Sequence, residues 1–226
     1  MKNLKVLEAK ALLGEDIVLM INPRVVKTYG YPSFGQRMMV RFVGFFVGKK
    51  RSAAFFPDGD HLFFPPGDWD VNAIPLEKIA RYKKMENLWR HRDNFRQSLS
   101  YKIAVAKMFV GRFFGKGMVY KKTPIKTFAE LEDLLKHHLL NILYSLKNEG
   151  YRMDIEQDMP EVSIGREGQI IKSKRGRHRF IAAKIVGLEK MPVVVSHIHP
   201  LWFEKVVNES GSETRELGAA LRKLAV

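Results

Sequence analysis

Gly176-Arg177-His178-Arg179, preceded by Ser173-Lys174-Arg175, is the run of residue types best suited to chemistry in this chain. A glycine turn followed by a helix start exposes backbone N–H groups at the positive end of the helix dipole. Two guanidinium groups and an imidazole beside them add charge-assisted donors, so the ligand this segment suits is a phosphate, held by Gly176, Arg177, His178 and Arg179. Histidine also raises a second chemistry. His197-Ile198-His199 alternates at a strand end, where both rings could share a side with His178 as metal ligands, but no firm carboxylate accompanies them. The simpler reading has His199 and Trp202 closing the fold or stacking on a base. Gly67-Asp68-Trp69-Asp70 either brings two carboxylates to a cleft or forms a Pro-Pro-Gly turn anchored by its tryptophan.

The elements that must position these residues are legible from periodicity and turn residues. Ile170–Ile171 ends a strand before the glycine, and a helix over about 178–186 has small residues, Ala182 and Ala183, suited to close packing on a sheet. Gly187 stops it, and Met191 to Val195 reads as a buried strand. Upstream, Val162 to Ile171 has the layout of a hairpin around Arg166-Glu167-Gly168. Leu76, Ile79, Tyr82, Met85 and Trp89 keep a helical spacing, as do Phe128, Leu131, Leu134, Leu135, His138, Leu139, Ile142, Leu143 and Leu146. In the second of these, Thr127 with Glu130 makes a capping box, Gly150 a C-cap, and His138 falls on the apolar face. Between them, 111–117 reads as a glycine loop. A last helix over 213–224 has a short apolar face and looks peripheral. Residues 1–75 are β-rich, with strand-like runs at 17–21, 38–47 and 52–56 and turn clusters at 57–60 and 65–68. The order of elements gives an α+β protein: a β-rich basic region 1–75, a helical connection 76–139, a phosphate-binding domain 140–205 and a C-terminal helix 206–226.

Composition bounds the function classes. With 226 residues, 46% hydrophobic and 28% charged, the chain is globular and not disordered. It has no cysteine, which excludes disulfides, thiolate nucleophiles and cysteine-type zinc sites, and is compatible with a cytoplasmic location. The charged N-terminus lacks the apolar core of a secretory signal, and the run 38–48 is too short for a bilayer and carries Arg41, so no membrane partner is expected. The net charge of +15 is concentrated: 17–57 holds seven Lys or Arg and no acid, and 94–129 holds eight and no acid. Interleaved with Phe, Tyr and Met, these stretches either form a polyanion-binding face or are a solvated surface.

Gly176-Arg-His-Arg-Phe-Ile-Ala-Ala-Lys184, then Gly187 and Pro192-Val-Val-Val195, resembles the phosphate-binding segment of the ParB and sulfiredoxin superfamily. It is most similar to single-domain members with a Gly-Arg-His-Arg motif, with Ile170 to Trp202 as the matching core and 140–203 as the extent. Arg175 stands where an aspartate often precedes the glycine, and Ile181 where ParB's motif has a further arginine; the sulfiredoxin cysteine is absent, which excludes that activity. The resemblance implies a small mixed sheet with packed helices and a nucleotide ligand, ATP or CTP. One branch transfers phosphoryl groups, which here would need Mg2+ and a carboxylate base; Glu156 is the first choice among Asp154, Glu156, Asp158 and Glu161, with His178 as the second catalytic candidate. The acidic patch is otherwise an exposed loop balancing nearby arginines. The expected partner is a nucleotide or phosphorylated small molecule. The other class is a non-catalytic DNA- or RNA-binding protein using the acid-free stretches.

Overall fold

The computed structural model describes residues 4–32, 62–113, 118–120, 123–152, 159–207 and 213–225. The runs 38–47 and 52–56, the turn 57–60, and Asp154, Glu156 and Asp158 lie outside them. The chain is α+β and forms two compact units, one of Met1–Leu76, Met153–Arg177 and Glu189–Val226, the other of Glu77–Arg152 and His178–Leu188. The units interleave along the sequence.

The first unit is built on a six-stranded mixed sheet. Its strands are β1 (Val18–Ile21), β2 (Thr28–Tyr29), β3 (Ile74–Pro75), β6 (Glu161–Ile164), β7 (Ile170–Lys172) and β8 (Met191–Ile198), in the order β1-β8-β6-β7-β2-β3; β4 and β5 belong to the other unit. β8 lies between antiparallel β1 and parallel β6, with Val18 opposite Val194 and Ser163 opposite His197. A central strand is covered on both faces, and Met191, Val193, Val195 and Ile198 are accordingly fully buried. The pairings of β1 with β8 and of β2 with β7 join the N-terminal region to the C-terminal third. β8 also runs three residues beyond the expected strand end at Val195, which carries His197 into the sheet.

β6 and β7 form the expected hairpin, turned by Gly165 to Gln169 with Gly168 at φ +80°. Helix α1 (Val6–Leu13) precedes β1. Helices α7 (Pro200–Val207) and α8 (Glu213–Leu224) pack on each other. α8 is less peripheral than its short apolar face suggests: it also packs against β1 and the 3-10 turn Gly14–Ile17, burying Leu217 and Leu221, while Arg222 pairs with Asp16.

The second unit is helical. It contains α2 (Ala80–Arg90), α3 (Leu99–Phe113), the hairpin β4 (Met118–Tyr120) and β5 (Thr123–Ile125), α4 (Phe128–Asp133), α5 (Asn141–Glu149) and most of α6 (Arg177–Val186). α3 continues through Gly111 to Phe113, so the first part of the expected glycine loop is helical and 114–117 lies outside the described residues. Thr127 Oγ1 accepts from the Glu130 N–H at 3.1 Å, and the Glu130 carboxylate accepts from the Thr127 N–H, forming the expected capping box. Gly150 ends α5 at φ +74°. Between α4 and α5, Leu134–Leu140 is π-helical. The wider turn shifts the phase of the helix, leaving Leu134, Leu135, Leu139 and Leu140 buried and turning His138 to the surface, contrary to its expected core position.

Candidate functional site: a basic cavity and a pinned turn

The glycine turn is held by a lysine that the apolar run before it conceals. Lys172, the last residue of β7, is fully buried, and its Nζ donates to the carbonyls of Glu161 at 2.8 Å, Ser173 at 2.9 Å and Arg175 at 2.5 Å. Three acceptors match the three donors of an ammonium. Burial pushes the Lys172 ammonium down to about 7; the Glu161 carboxylate opposes the shift and Arg177 adds to it. The chain thus wraps around this cation from Ser173 to Arg175, with further backbone bonds from Ser173 N–H to the Glu161 carbonyl and from Glu161 N–H to the Arg175 carbonyl. Gly176 then takes φ +66°, and a Cβ there would lie 2.5 Å from Pro160 Cα, so both conformation and space require glycine.

α6 begins at Arg177, one residue before the expected start, and buries Phe180, Ile181, Ala182 and Ala183. The Arg177 guanidinium donates to the Tyr29 hydroxyl at 2.9 Å and lies 5.7 Å from the centre of its ring. Arg179 is half-buried. His178 lines a cavity of about 720 Å³ within the helical unit.

That cavity is set by the α2–α3 corner. Ser98 caps α3, its Oγ accepting from the Tyr101 N–H at 3.1 Å. Asn87 Oδ1 accepts from the Ser100 N–H at 2.8 Å, and Ser100 Oγ donates to the Lys84 carbonyl at 3.0 Å, which locks the two helices at this point. The walls include five cations, Arg81, Lys83, Lys84, Arg90 and Lys107, with an apolar part from Met85, Leu99, Ile103, Ala104 and Leu139. Among the described residues Glu86 is the one carboxylate of the wall, and Arg90 takes it at 3.0 Å. Half-buried Lys84 has its ammonium pushed below the ordinary lysine range, first by burial and then by Lys107 and Arg81. Like charges crowded against a concave apolar surface raise the energy of the empty site and lower that of an anion in it. No protein-family model, curated protein or solved structure matches this chain.

The remaining sequence candidates have structural partners. Asp70, whose side chain is fully buried, accepts from Arg166 Nε and Nη2, the latter at 2.8 Å, and from the Arg166 N–H at 2.9 Å, while Asp68 takes Arg166 Nη2 at 2.6 Å. Burial alone would raise the Asp70 carboxyl, but the Arg166 hydrogen bonds, helped by His199, bring it below the usual carboxylate range. Trp69 Nε1 donates to the Pro65 carbonyl at 3.0 Å, and His199 shares a hydrogen bond with the Gly67 carbonyl at 3.0 Å with its ring 5.9 Å from that of Trp69. The Gly-Asp-Trp-Asp segment therefore fastens the 65–70 turn to the β6–β7 hairpin. His197 Nδ1 lies 2.8 Å from Ser196 Oγ and 3.3 Å from Ser163 Oγ. Among the described residues no group of three or more His, Asp or Glu is placed to hold a metal ion. No helix among them is long and apolar enough to cross a membrane.

Lys172, Lys84 and Arg81 escape the sequence reading, whereas Lys107 belongs to the acid-free stretch 94–129. Arg81 and Lys84 are three residues apart on a helical stripe, which places them on one face; nothing in the spacing marks Lys172, a lysine at the end of an apolar strand.

Proposed function

We propose that this chain binds a phosphate-bearing ligand of nucleotide size in the basic cavity of its helical unit, with Arg81, Lys84, Lys107 and His178 receiving the phosphates. The observation that carries the reading is the grouping of five cations around a cavity whose one carboxylate, Glu86, is already held by Arg90. Its volume of about 720 Å³ suits a nucleotide, and the wall of Leu99, Ile103 and Leu139 offers apolar surface to a base. Within the segment Gly176–Arg179, His178 is the ligand contact, and Gly176 and Arg177 set where the helix starts. The kinship with the ParB and sulfiredoxin group is part of the same proposal, supported by the positive φ of Gly176, the helix with buried Ala182 and Ala183, and the strand that follows. ATP and CTP are therefore the first ligands to test. Binding without transfer is the activity we propose, because Glu86, the carboxylate that the described residues bring to the cavity, is engaged by Arg90.

Calorimetry with ATP and with CTP tests it on the parent and on the Lys84→Met, Lys107→Met double variant. Loss of two charge-assisted contacts of about 1.5–3 kcal/mol each weakens binding by at least roughly a hundredfold. Equal affinity in the two proteins, or no heat in the parent, refutes the reading.

A second reading, single-stranded nucleic acid, is favoured by one feature. The acid-free stretch exposes Phe109 (53%) and Phe113 (86%) on α3 beside the exposed Lys102 and Lys107, a combination that stacks bases and neutralises phosphates. It predicts an affinity for oligonucleotides that falls steeply with salt and is reduced by Phe113→Ala.

A further inference from the structure

The sheet unit contains a separate cavity of about 340 Å³. Among the described residues Lys5, Lys10, Lys174 and Arg175 line it with Glu161 as the one acid, and Arg175 Nε approaches that carboxylate to 3.8 Å. Ser196 and His197, both buried, belong to its wall. Behind them, Ser163 and Ser173 share a 2.5 Å hydrogen bond, and Ser196 Oγ donates to the Val162 carbonyl at 3.1 Å. Three hydroxyls and an imidazole are thus gathered at one place in the sheet. Such groups cost free energy to bury and contribute little hydrophobic stabilisation, even when bonded to one another. What they do at the cavity is fix the His197 ring, whose Nδ1 lies within reach of the Ser196 and Ser163 hydroxyls. The pinned turn supplies the rest: Lys172 holds the carbonyls of Ser173 and Arg175 inward, fixing the backbone that carries the Lys174 and Arg175 side chains.

We propose that this cavity is a second binding site, which takes a small phosphate-bearing anion on Lys5, Lys10, Lys174 and Arg175 beside the buried His197 imidazole. Its volume limits the ligand to inorganic phosphate or a phosphate monoester of a few carbons, in contrast to the nucleotide-sized site of the helical unit. The site does not depend on the reading of the helical cavity.

The test titrates the full chain with inorganic phosphate and, separately, with glycerol phosphate, following the His197 imidazole by 1H–15N NMR. His197→Gln assigns the signal. The parent shows a saturable His197 shift, and Lys10→Gln with Lys174→Gln weakens the midpoint by about tenfold or more, as loss of charge-assisted bonds requires. The Lys84→Met, Lys107→Met protein retains the shift. A tighter midpoint for glycerol phosphate assigns the site to monoesters, and a tighter one for inorganic phosphate to the free ion. No saturable His197 shift, or one that survives Lys10→Gln, Lys174→Gln but disappears in the helical-cavity variant, overturns the proposal.

Discussion

Replacing Lys172 with methionine separates the two forces acting on the buried ammonium. Methionine fills similar volume without charge, leaving the Ser173 carbonyl without the bond it receives at 2.9 Å. The carbonyls of Glu161 and Arg175 keep a backbone donor each, from Ser173 N–H and Glu161 N–H. One orphaned acceptor costs about 1–3 kcal/mol and two weakened ones add less, so Lys172→Met is destabilised at high pH, where the parent lysine carries no charge penalty. At low pH the parent itself bears the cost of a buried charge. A lysine whose folded pKa is about 7, against an unfolded value near 10.4, binds fewer protons in the folded state between those limits. Parental stability therefore rises with pH through that window, by up to about 1.4 kcal/mol per unit, and the variant lacks this slope. Urea denaturation of both proteins at pH 7, 8 and 9 measures the difference, in which the other titrating groups cancel. Its growth with pH supports the burial-dominated lysine. A flat difference shows that the three carbonyls keep the ammonium charged throughout, and refutes the reasoning.

Asp70→Ala breaks a buried carboxylate–guanidinium pair and should cost roughly 3 kcal/mol at neutral pH. Because the folded carboxyl sits below its unfolded value, that stability is present above about pH 4 and is lost as pH falls through the folded pKa, so denaturation curves of parent and variant converge in acid. Lys84→Met with Lys107→Met relieves like-charge repulsion and should raise the melting temperature without ligand, by the equivalent of about 0.5 kcal/mol, while weakening nucleotide binding. Gly176→Ala meets Pro160 backbone at a positive φ and should cost more than about 2 kcal/mol, readable as a lower urea midpoint. Arg177→Ala loses its contact with Tyr29 and should lower stability with little change in ATP affinity; His178→Ala should do the reverse, which parallel calorimetry and thermal melts would show.

Local signals in the chain were the readable ones. Thr127 with Glu130, Gly150, Gly187 and the 213–224 apolar face each specify an element end or a helix through interactions within a few residues, and the structure has them where the spacing puts them. Pairing of Val18 with Val194 has no such signature, because strand partners are chosen by shared burial and not by proximity in sequence. The π-helical turn escaped for a related reason: a 3.6-residue template assigns His138 to the core, and only the packing of Leu139 and Leu140 makes the wider turn worthwhile. Lys172 was hidden because a lysine after two isoleucines reads as the solvent edge of a strand, whereas three convergent carbonyls make the interior habitable for it.

The Gly-Arg-His-Arg segment shows how a motif and its geometry differ. Consecutive residues on a helix project about 100° apart, so Arg177, His178 and Arg179 cannot all serve one ligand through their side chains. The contacts divide accordingly, Arg177 to Tyr29 in the sheet unit and His178 to the cavity of the helical unit. Counting the three as one cradle overstates the local charge available to a phosphate. The missing charge comes instead from Arg81, Lys84 and Lys107, held together by the Ser98 cap and the Asn87–Ser100 bond at the α2–α3 corner. On the proposed reading, the motif therefore names a ligand chemistry while supplying one residue, His178, to the cavity that would take it.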